Sequence, residues 1–335
     1  MLAVDDRRGE DLRPSPFNLA RYVLWDNGAG DDKVALTVLN ASGSKRWSYG
    51  RLRDSVLTTG ASLRAAGLAP GDQLMLRLGN TTDFPVAFLG AITAGILPVP
   101  TSPALTEAEI TRVADVVKPA KVLAAAGISV PQDVPVIGMT ELPPAQPLAA
   151  PTETGPEDPA YIVVTSGSAG PPVGVIHAHR AILARRFMFD DWYGLSRDDR
   201  VLHAGAFNWT YTLGTGLLDP WTAGATALIP GANVGMDLLP LLLKRHEATI
   251  FAGAPGIFRK LLKTGLPDLP KLRHGLSAGE KLAPSLREKW RAATGTDIHE
   301  AFGQSECSTF ISGAPDRPSP EGALGYTQTG RAVAI

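Results

Sequence analysis

Apolar residues recur along the chain in two alternating rhythms. Leu52, Val56 and Leu63 follow a helical spacing, and Gly67 fits the end of that helix. Leu74, Leu76 and Leu78 then alternate with Gln73, Met75 and Arg77, the two-residue period of a strand. Phe84 to Thr93 reads as a helix and Ile96 to Val99 as a short strand. Thr106 with Glu109 three residues on has the form of a capping box, so a helix opens there and runs to about Val117. Lys121 to Ala125 is the next strand. Strands alternating with helices predict a parallel sheet with helices on its faces. Between Leu142 and Pro159 six prolines and few large apolar residues interrupt the pattern, which predicts a surface linker. The alternation resumes at Tyr161. The expectation is an α/β protein of two stacked subdomains with a cleft between them: residues 1–159, ending in the proline-rich segment, and residues 160–335. No internal repeat is visible.

Composition narrows the function classes. Of 335 residues, 44% are hydrophobic and 19% charged, ordinary values for a soluble enzyme. With 32 basic and 33 acidic residues interspersed, the chain has no electrostatic footprint for nucleic acid. Cys307 is alone, which excludes an internal disulfide and a cysteine zinc site and fits a reducing cytoplasm. Met1 to Glu10 carries Asp5, Asp6, Arg7 and Arg8 and no apolar core, so no signal peptide is expected. The longest uncharged apolar stretch, Phe84 to Pro100, is broken by Gly90, Gly95 and Pro98 and reads as a buried helix and strand instead of a membrane span. A cytoplasmic protein without a membrane or nucleic-acid partner is expected, with monomer and homodimer both open.

The most informative stretch is Tyr161 to Val175, where an apolar strand runs into a loop of hydroxyls and glycines. Thr165, Ser166 and Ser168 can donate hydrogen bonds to phosphate oxygens. Gly167 and Gly170 allow backbone N–H groups to approach an anion closely. From composition alone a flexible surface turn is an equal reading. No Gly-Lys-Ser/Thr follows, so this is not a Walker loop, and the loop itself holds no Gly-x-Ser-x-Gly. The loop resembles the phosphate-binding signature of the adenylate-forming superfamily of acyl-CoA synthetases (the AMP-dependent synthetases and ligases), luciferases and peptide-synthetase adenylation domains. Thr165, Ser166, Gly167, Ser168, Gly170, Pro172, Gly174 and Val175 match that signature. Ala169 replaces a hydroxyl, and Val173 stands where the family carries a lysine. The substitution removes a mobile ammonium near the triphosphate but leaves the backbone cradle.

A second signature follows in the order the family requires. Leu276 to Leu282, with Ala278, Gly279 and Glu280, resembles its Gly-Gly-Glu-x-Leu segment, which lines the adenine and acyl pockets. Ile298 to Glu306, with Ala301, Phe302 and Gly303, resembles its Tyr-Gly-x-Thr-Glu segment. The resemblance implies that Phe302 stacks on adenine, Ser305 contacts the α-phosphate and Glu306 binds Mg²⁺. Each role suits the residue: a flat ring for a base, a hydroxyl for an oxyanion, a hard carboxylate for a hard cation. Taken alone, Glu306 reads more readily as a solvated or helix-capping carboxylate. Tyr49 to Leu52, Gly67 to Asp72, Gly90 to Pro100, Leu105 to Glu109 and Gly322 to Ile335 also fall where the family has similar segments.

His203 to Gly214 sits where the family builds its acyl pocket. His203, Phe207, Asn208, Trp209 and Tyr211, with Ala278, are the candidate lining, and Gly205, Gly214 and Gly216 supply space. Plain core packing remains an equal reading of these residues. Amino-acid-activating relatives usually carry Phe-Asp here; Phe207-Asn208 offers a neutral amide that cannot neutralise a substrate ammonium. His177 and His179 are read as packing or helix-start residues.

The resemblance implies the large N-terminal domain of an acyl-CoA synthetase. Its reaction joins a carboxylic acid to ATP, with Mg²⁺, as an acyl-adenylate, and CoA then captures the acyl group. The implied acid is apolar, aromatic or short-chain. In the family a Thr-Gly-Asp segment, a hinge and a small C-terminal domain follow; these 335 residues stop ahead of them, so thioester formation by this stretch alone is not expected. Loading of a carrier protein instead of CoA, and a non-catalytic nucleotide- or acyl-binding remnant, stay open as alternatives.

Overall fold

The computed structural model describes residues 4–9, 14–165 and 170–334. Two sheets organise the chain. The larger has nine strands in the order Tyr326–Thr327, Ser308–Ser312, Ile298–Gln304, His274–Ser277, Ile250–Gly253, Arg200–His203, Thr226–Pro230, Val34–Asn40 and Gly43–Ser48. Its centre, from Ile298–Gln304 to Val34–Asn40, is parallel, and the strands outside it at both edges pair antiparallel. The smaller is a parallel sheet of Leu97–Pro100, Gln73–Arg77, Lys121–Ala124 and Val136–Ile137. An antiparallel hairpin, Pro159–Thr165 with Val173–Ala178, packs beside Leu97–Pro100.

The helices read from the sequence form as Tyr49–Ala65, Asp83–Thr93 and Glu107–Val117. The Thr106–Glu109 capping box is complete: the Thr106 side chain accepts from the Glu109 N–H while Glu109 reaches back to the Thr106 N–H. Every residue from Phe84 to Thr93 is buried, because this helix is apolar all round and belongs inside the molecule. One core unites it with Leu52 and Val56, Leu74 and Leu76 of the small sheet, and Leu36, Val38 and Ile229 of the large one.

Three features depart from the sequence reading. The boundary at 159/160 does not follow the sheets. Val34–Asn40 and Gly43–Ser48 belong to the nine-stranded sheet, with Ala227 opposite Leu36. The interior of Val34–Asn40 is buried throughout, so the strand needs a neighbour and cover on both faces, which the large sheet supplies. Second, the polar face of Gln73–Arg77 is not exposed. Arg77 is fully buried and donates to the carbonyls of Ser102, Leu105 and Ser129, so its charge is met by backbone acceptors. Third, the proline-rich segment lacks helix and strand between residues 142 and 158 but is strapped down. Leu148 N–H donates to Leu57 O (3.3 Å), Thr152 N–H to Thr93 O (2.8 Å), and Thr154 O accepts from Phe17 N–H (2.7 Å). No helix among the described residues is long and apolar enough to cross a membrane.

Candidate active site

The parallel strands of the large sheet end on one edge, and their exits carry the candidate residues. Ligands of open α/β sheets gather at such carboxyl ends. His274–Ser277 leads into Ala278-Gly279-Glu280, Ile298–Gln304 into the turn of Ser305 and Glu306, and Arg200–His203 into Trp209 and Tyr211. Two cavities lie there, of about 250 and 910 Å³, and both use Gly279 and Gly303 in their walls. Gly279 has φ +94°, and a Cβ on it would lie 2.8 Å from the Trp209 ring, so only glycine lets that indole lie over the strand exit.

The smaller cavity is walled by Met188, Trp192, Trp209, Tyr211 and Ala278, with Gln304 and Ser305 also in its lining. Trp209 and Tyr211 stand perpendicular, ring centres 5.2 Å apart, and the Tyr211 hydroxyl donates to Leu276 O at 2.9 Å. Trp192 donates its indole N–H to His299 O at 3.0 Å. These bonds lock the rings as a rigid wall.

Arg185 also reaches this cavity from the helix Ala181–Arg186. It is 6% exposed and faces Asp219, 1% exposed, in a fork: Nε to Oδ1 at 2.8 Å and Nη2 to Oδ2 at 2.5 Å. Nη1 donates to Ser308 Oγ at 2.7 Å. The Tyr193 hydroxyl donates to Asp219 Oδ2 at 2.7 Å and sits 2.8 Å from Thr215 Oγ1. Burial opposes the guanidinium charge, but Asp219 beside it outweighs burial and keeps Arg185 charged. A Cβ on Gly214 would lie 2.1 Å from Arg185 Nη2, so the glycine is what leaves room for the guanidinium.

The larger cavity is lined by Glu280, Ala301, Phe302 and Gly303, and by residues 318–324 opposite them. Phe302 is 44% exposed, its ring edge-on to Phe310 with 5.2 Å between centres. The floor is held by Glu300, which accepts from Leu282 N–H at 2.7 Å and from Arg287 at 2.6 Å. Glu306 is exposed on the turn. Among the described residues no cluster of three metal-ligating side chains exists. A single exposed carboxylate fits Mg²⁺, which keeps several waters and takes further ligands from substrate phosphates.

At the end of the hairpin, Thr165 and Val173 face each other, Thr165 Oγ1 lying 3.5 Å from Val173 O. Gly170 is exposed and Val173 is 53% exposed. Ser166, Gly167 and Ser168 lie outside the described residues. The hairpin approaches the second signature. Burial and then the Arg185 charge lower the His177 imidazole below its ordinary value, while the Ser305 backbone and Glu306 carboxylate pull the other way. His177 stacks on Tyr161 at 4.6 Å, and His179 Nδ1 accepts from Leu19 N–H at 2.9 Å, the packing and helix-start roles read for them.

Trp209, Tyr211 and Ala278 thus meet in the smaller cavity, but three of their expected companions line neither cavity. Phe207 is 1% exposed and turns inward to stack on Phe84 at 4.9 Å, filling the core between the sheets. His203 is fully buried behind the Tyr211 ring. The Asn208 side-chain oxygen is buried without a hydrogen-bond partner. Asn80 was not foreseen: it holds this loop by donating to Gly205 O (2.8 Å) and accepting from Phe207 N–H (3.0 Å). Arg185 and Asp219 were also missed. The available signal was a carboxylate inside the apolar run Leu213 to Trp221, which needs a buried partner.

Comparison with known proteins agrees with this geometry. The chain is 28% identical over 312 residues to the benzoate–CoA ligase of Thauera aromatica, covering 83% of this chain and 59% of that protein. It is 30% identical over 327 residues to a 4-hydroxybenzoate–CoA/benzoate–CoA ligase of Rhodopseudomonas palustris, covering 87% of this chain and 60% of that one. A crystal structure of a benzoate CoA ligase from Burkholderia xenovorans superposes with a TM-score of 0.82 at 26% identity, over 93% of this chain and 66% of that one. The chain therefore spans roughly three fifths of the curated relatives it matches. Residues 25–335 match the family model described as AMP-binding enzyme, and the chain belongs to that family.

Proposed function

We propose that this chain carries the acid and nucleotide sites of an AMP-forming acid–CoA ligase whose acid is a small aromatic carboxylate. The observation that carries the reading is the pair of adjoining cavities sharing Gly279 and Gly303, one walled by Trp192, Trp209 and Tyr211 and the other bordered by Phe302 and Glu280. In such a reaction a carboxylate oxygen attacks the α-phosphorus of ATP and expels pyrophosphate, and the CoA thiol then displaces AMP. The acid and the α-phosphate must meet at one point, and Ser305, which lines the smaller cavity two residues beyond the shared Gly303, is the residue we assign to that contact. Mg²⁺ held by Glu306 would neutralise phosphate charge. Size supports one ring: a cavity of ~150 Å³ accepts benzene, and the smaller cavity measures about 250 Å³. Among the described residues no carboxylate lines it, and Asp219, behind Arg185, is already paired with that guanidinium, leaving nothing for a substrate ammonium.

The test is calorimetric titration of the 335-residue chain with AMP, benzoate, phenylalanine and dodecanoate. AMP and benzoate are expected to bind and the other two not. Binding of phenylalanine without benzoate would sink the reading.

A further inference from the structure

The ion pair in the smaller cavity has a hydrogen-bonding polarity that can be followed atom by atom. The guanidinium has five N–H groups. Nε donates to Asp219 Oδ1, Nη2 donates to Asp219 Oδ2 and to the Tyr193 hydroxyl (3.2 Å), and Nη1 donates once, to Ser308 Oγ. One Nη1–H is left without a partner among the described residues. The Tyr193 proton goes to Asp219, so the 2.8 Å contact with Thr215 is made by the Thr215 proton. Thr215 Oγ1 therefore keeps its lone pairs free among the described residues. Arg185 and Thr215 both line the cavity and both bond the same Tyr193 oxygen, so the free donor and the free acceptor are neighbours.

One donor beside one acceptor, buried against aromatic rings, is the complement of a hydroxyl group. Charge discriminates further. Arg185 already has its counter-charge in Asp219, so a second carboxylate on the ligand would enter without compensation. Gly214, which makes space for the guanidinium, shows that the backbone is shaped around this arrangement.

We propose that Arg185 and Thr215 are specificity-determining residues that select an acid whose ring carries a hydroxyl group, the Nη1–H donating to its oxygen and Thr215 Oγ1 accepting its proton. The proposal rests on the aromatic-acid reading above and adds the substituent. A site built to bond a hydroxyl discriminates strongly against an analogue lacking it, because its own polar groups are then left unpaired.

The probes are benzoate, 3- and 4-hydroxybenzoate, their methyl counterparts of equal size, and the matching benzene dicarboxylates, each titrated calorimetrically into the wild-type chain. One hydroxybenzoate is expected to bind at least about tenfold tighter than its methyl counterpart, and no dicarboxylate tighter than that hydroxybenzoate. Thr215→Val removes the acceptor without touching the ion pair and should cut this preference severalfold. The double variant Arg185→Met/Asp219→Asn, neutral on both sides, should abolish it while the methylbenzoates bind undiminished. If the double variant does not fold, the wild-type comparison and Thr215→Val still decide. Equal binding of hydroxyl and methyl acids, tighter binding of a dicarboxylate, or a preference that survives Thr215→Val overturns the proposal and leaves the aromatic-acid reading standing. Failure of every acid in the series to bind would bring down both.

Discussion

The two cavities share a wall and are built on opposite terms. The smaller is defined by side chains that are themselves buried and bonded: Arg185 to Asp219 and Ser308, Tyr211 to Leu276, Trp192 to His299. The larger is bordered by an exposed Phe302, and the exposed Glu306 and Val173 lie outside its lining and are open to solvent. A site that must recognise one ring gains from groups fixed before the ligand arrives. A site for a nucleotide can rely on backbone, glycine and a few mobile contacts. Stability and binding should therefore be coupled in the first region and separable in the second.

The largest expected effect breaks the smaller cavity. Asp219→Ala leaves the Arg185 charge buried without its partner, a change that typically costs about 3–5 kcal/mol. Glu306→Ala, on the exposed turn, should change stability by less than about 0.5 kcal/mol. Urea denaturation of both variants tests the contrast. Equal losses, or a stable Asp219→Ala, would mean that the ion pair does not hold this region.

Acid should attack the same side of the molecule. Burial holds the His203 imidazole down at about 3 against an ordinary value of 6.5. His179, His274 and His299 are held near 4, first of all by burial. In each case the folded pKa lies below the unfolded one, so the neutral form belongs to the fold. The stability it contributes is complete above about pH 6.5 and is lost as pH falls through the folded value. For His203 the loss at pH 5 amounts to about 2 kcal/mol. His203→Leu removes this titration, so its stability should fall less between pH 7 and pH 5, by about that amount, in chemical denaturation at the two pH values. An unchanged pH dependence would show that His203 is not held neutral.

What the sequence revealed divides by distance along the chain. The Thr106–Glu109 cap, the apolar helix from Phe84 and the strand before Thr165 are local patterns, written in residues within a few positions of one another. The signature segments were legible for the same reason, and they contribute to both cavities, Ala278 and Ser305 to the smaller and Glu280 and Phe302 to the larger. The buried fork was half legible: Asp219 sits in an apolar run and calls for a buried partner, but Arg185 lies 34 positions away and alone reads as a surface charge. The placement of Val34–Asn40 in the far sheet was hidden likewise, since its partner Thr226–Pro230 follows nearly two hundred residues later. Phe207 and Trp209 sit two positions apart in one candidate pocket, yet one fills the core and the other the cavity. Adjacency in a loop does not say which wall a ring joins.

A smaller effect sharpens the contrast on the nucleotide side. Phe302→Ala removes a ring from an exposed position, so the fold should tolerate it. If adenine stacks there, AMP binding should weaken by about 2 kcal/mol, within the range for a base on an aromatic side chain. Calorimetry with AMP reads the binding and thermal unfolding the stability. A loss of stability with AMP affinity intact would invert the assignment.

The smallest effect concerns Val173, where the resembling family carries lysine. Val173 is 53% exposed and pairs with Thr165 at the open end of the hairpin, so a longer side chain can extend into solvent without displacing core residues. Val173→Lys should therefore leave the melting temperature unchanged. An ammonium there gives the outer phosphates of ATP one charged partner, and hydrogen bonds to charged groups contribute roughly 1.5–3 kcal/mol. Solvent at this exposed position argues for the lower end, about tenfold in ATP affinity. The single phosphate of AMP is expected nearer Ser305 than the loop, so AMP should bind the two forms alike. Calorimetry with both nucleotides separates the cases. Equal gains for ATP and AMP would indicate general attraction of anions to an added charge, and no gain for ATP would mean that Val173 does not occupy the place of the family's lysine.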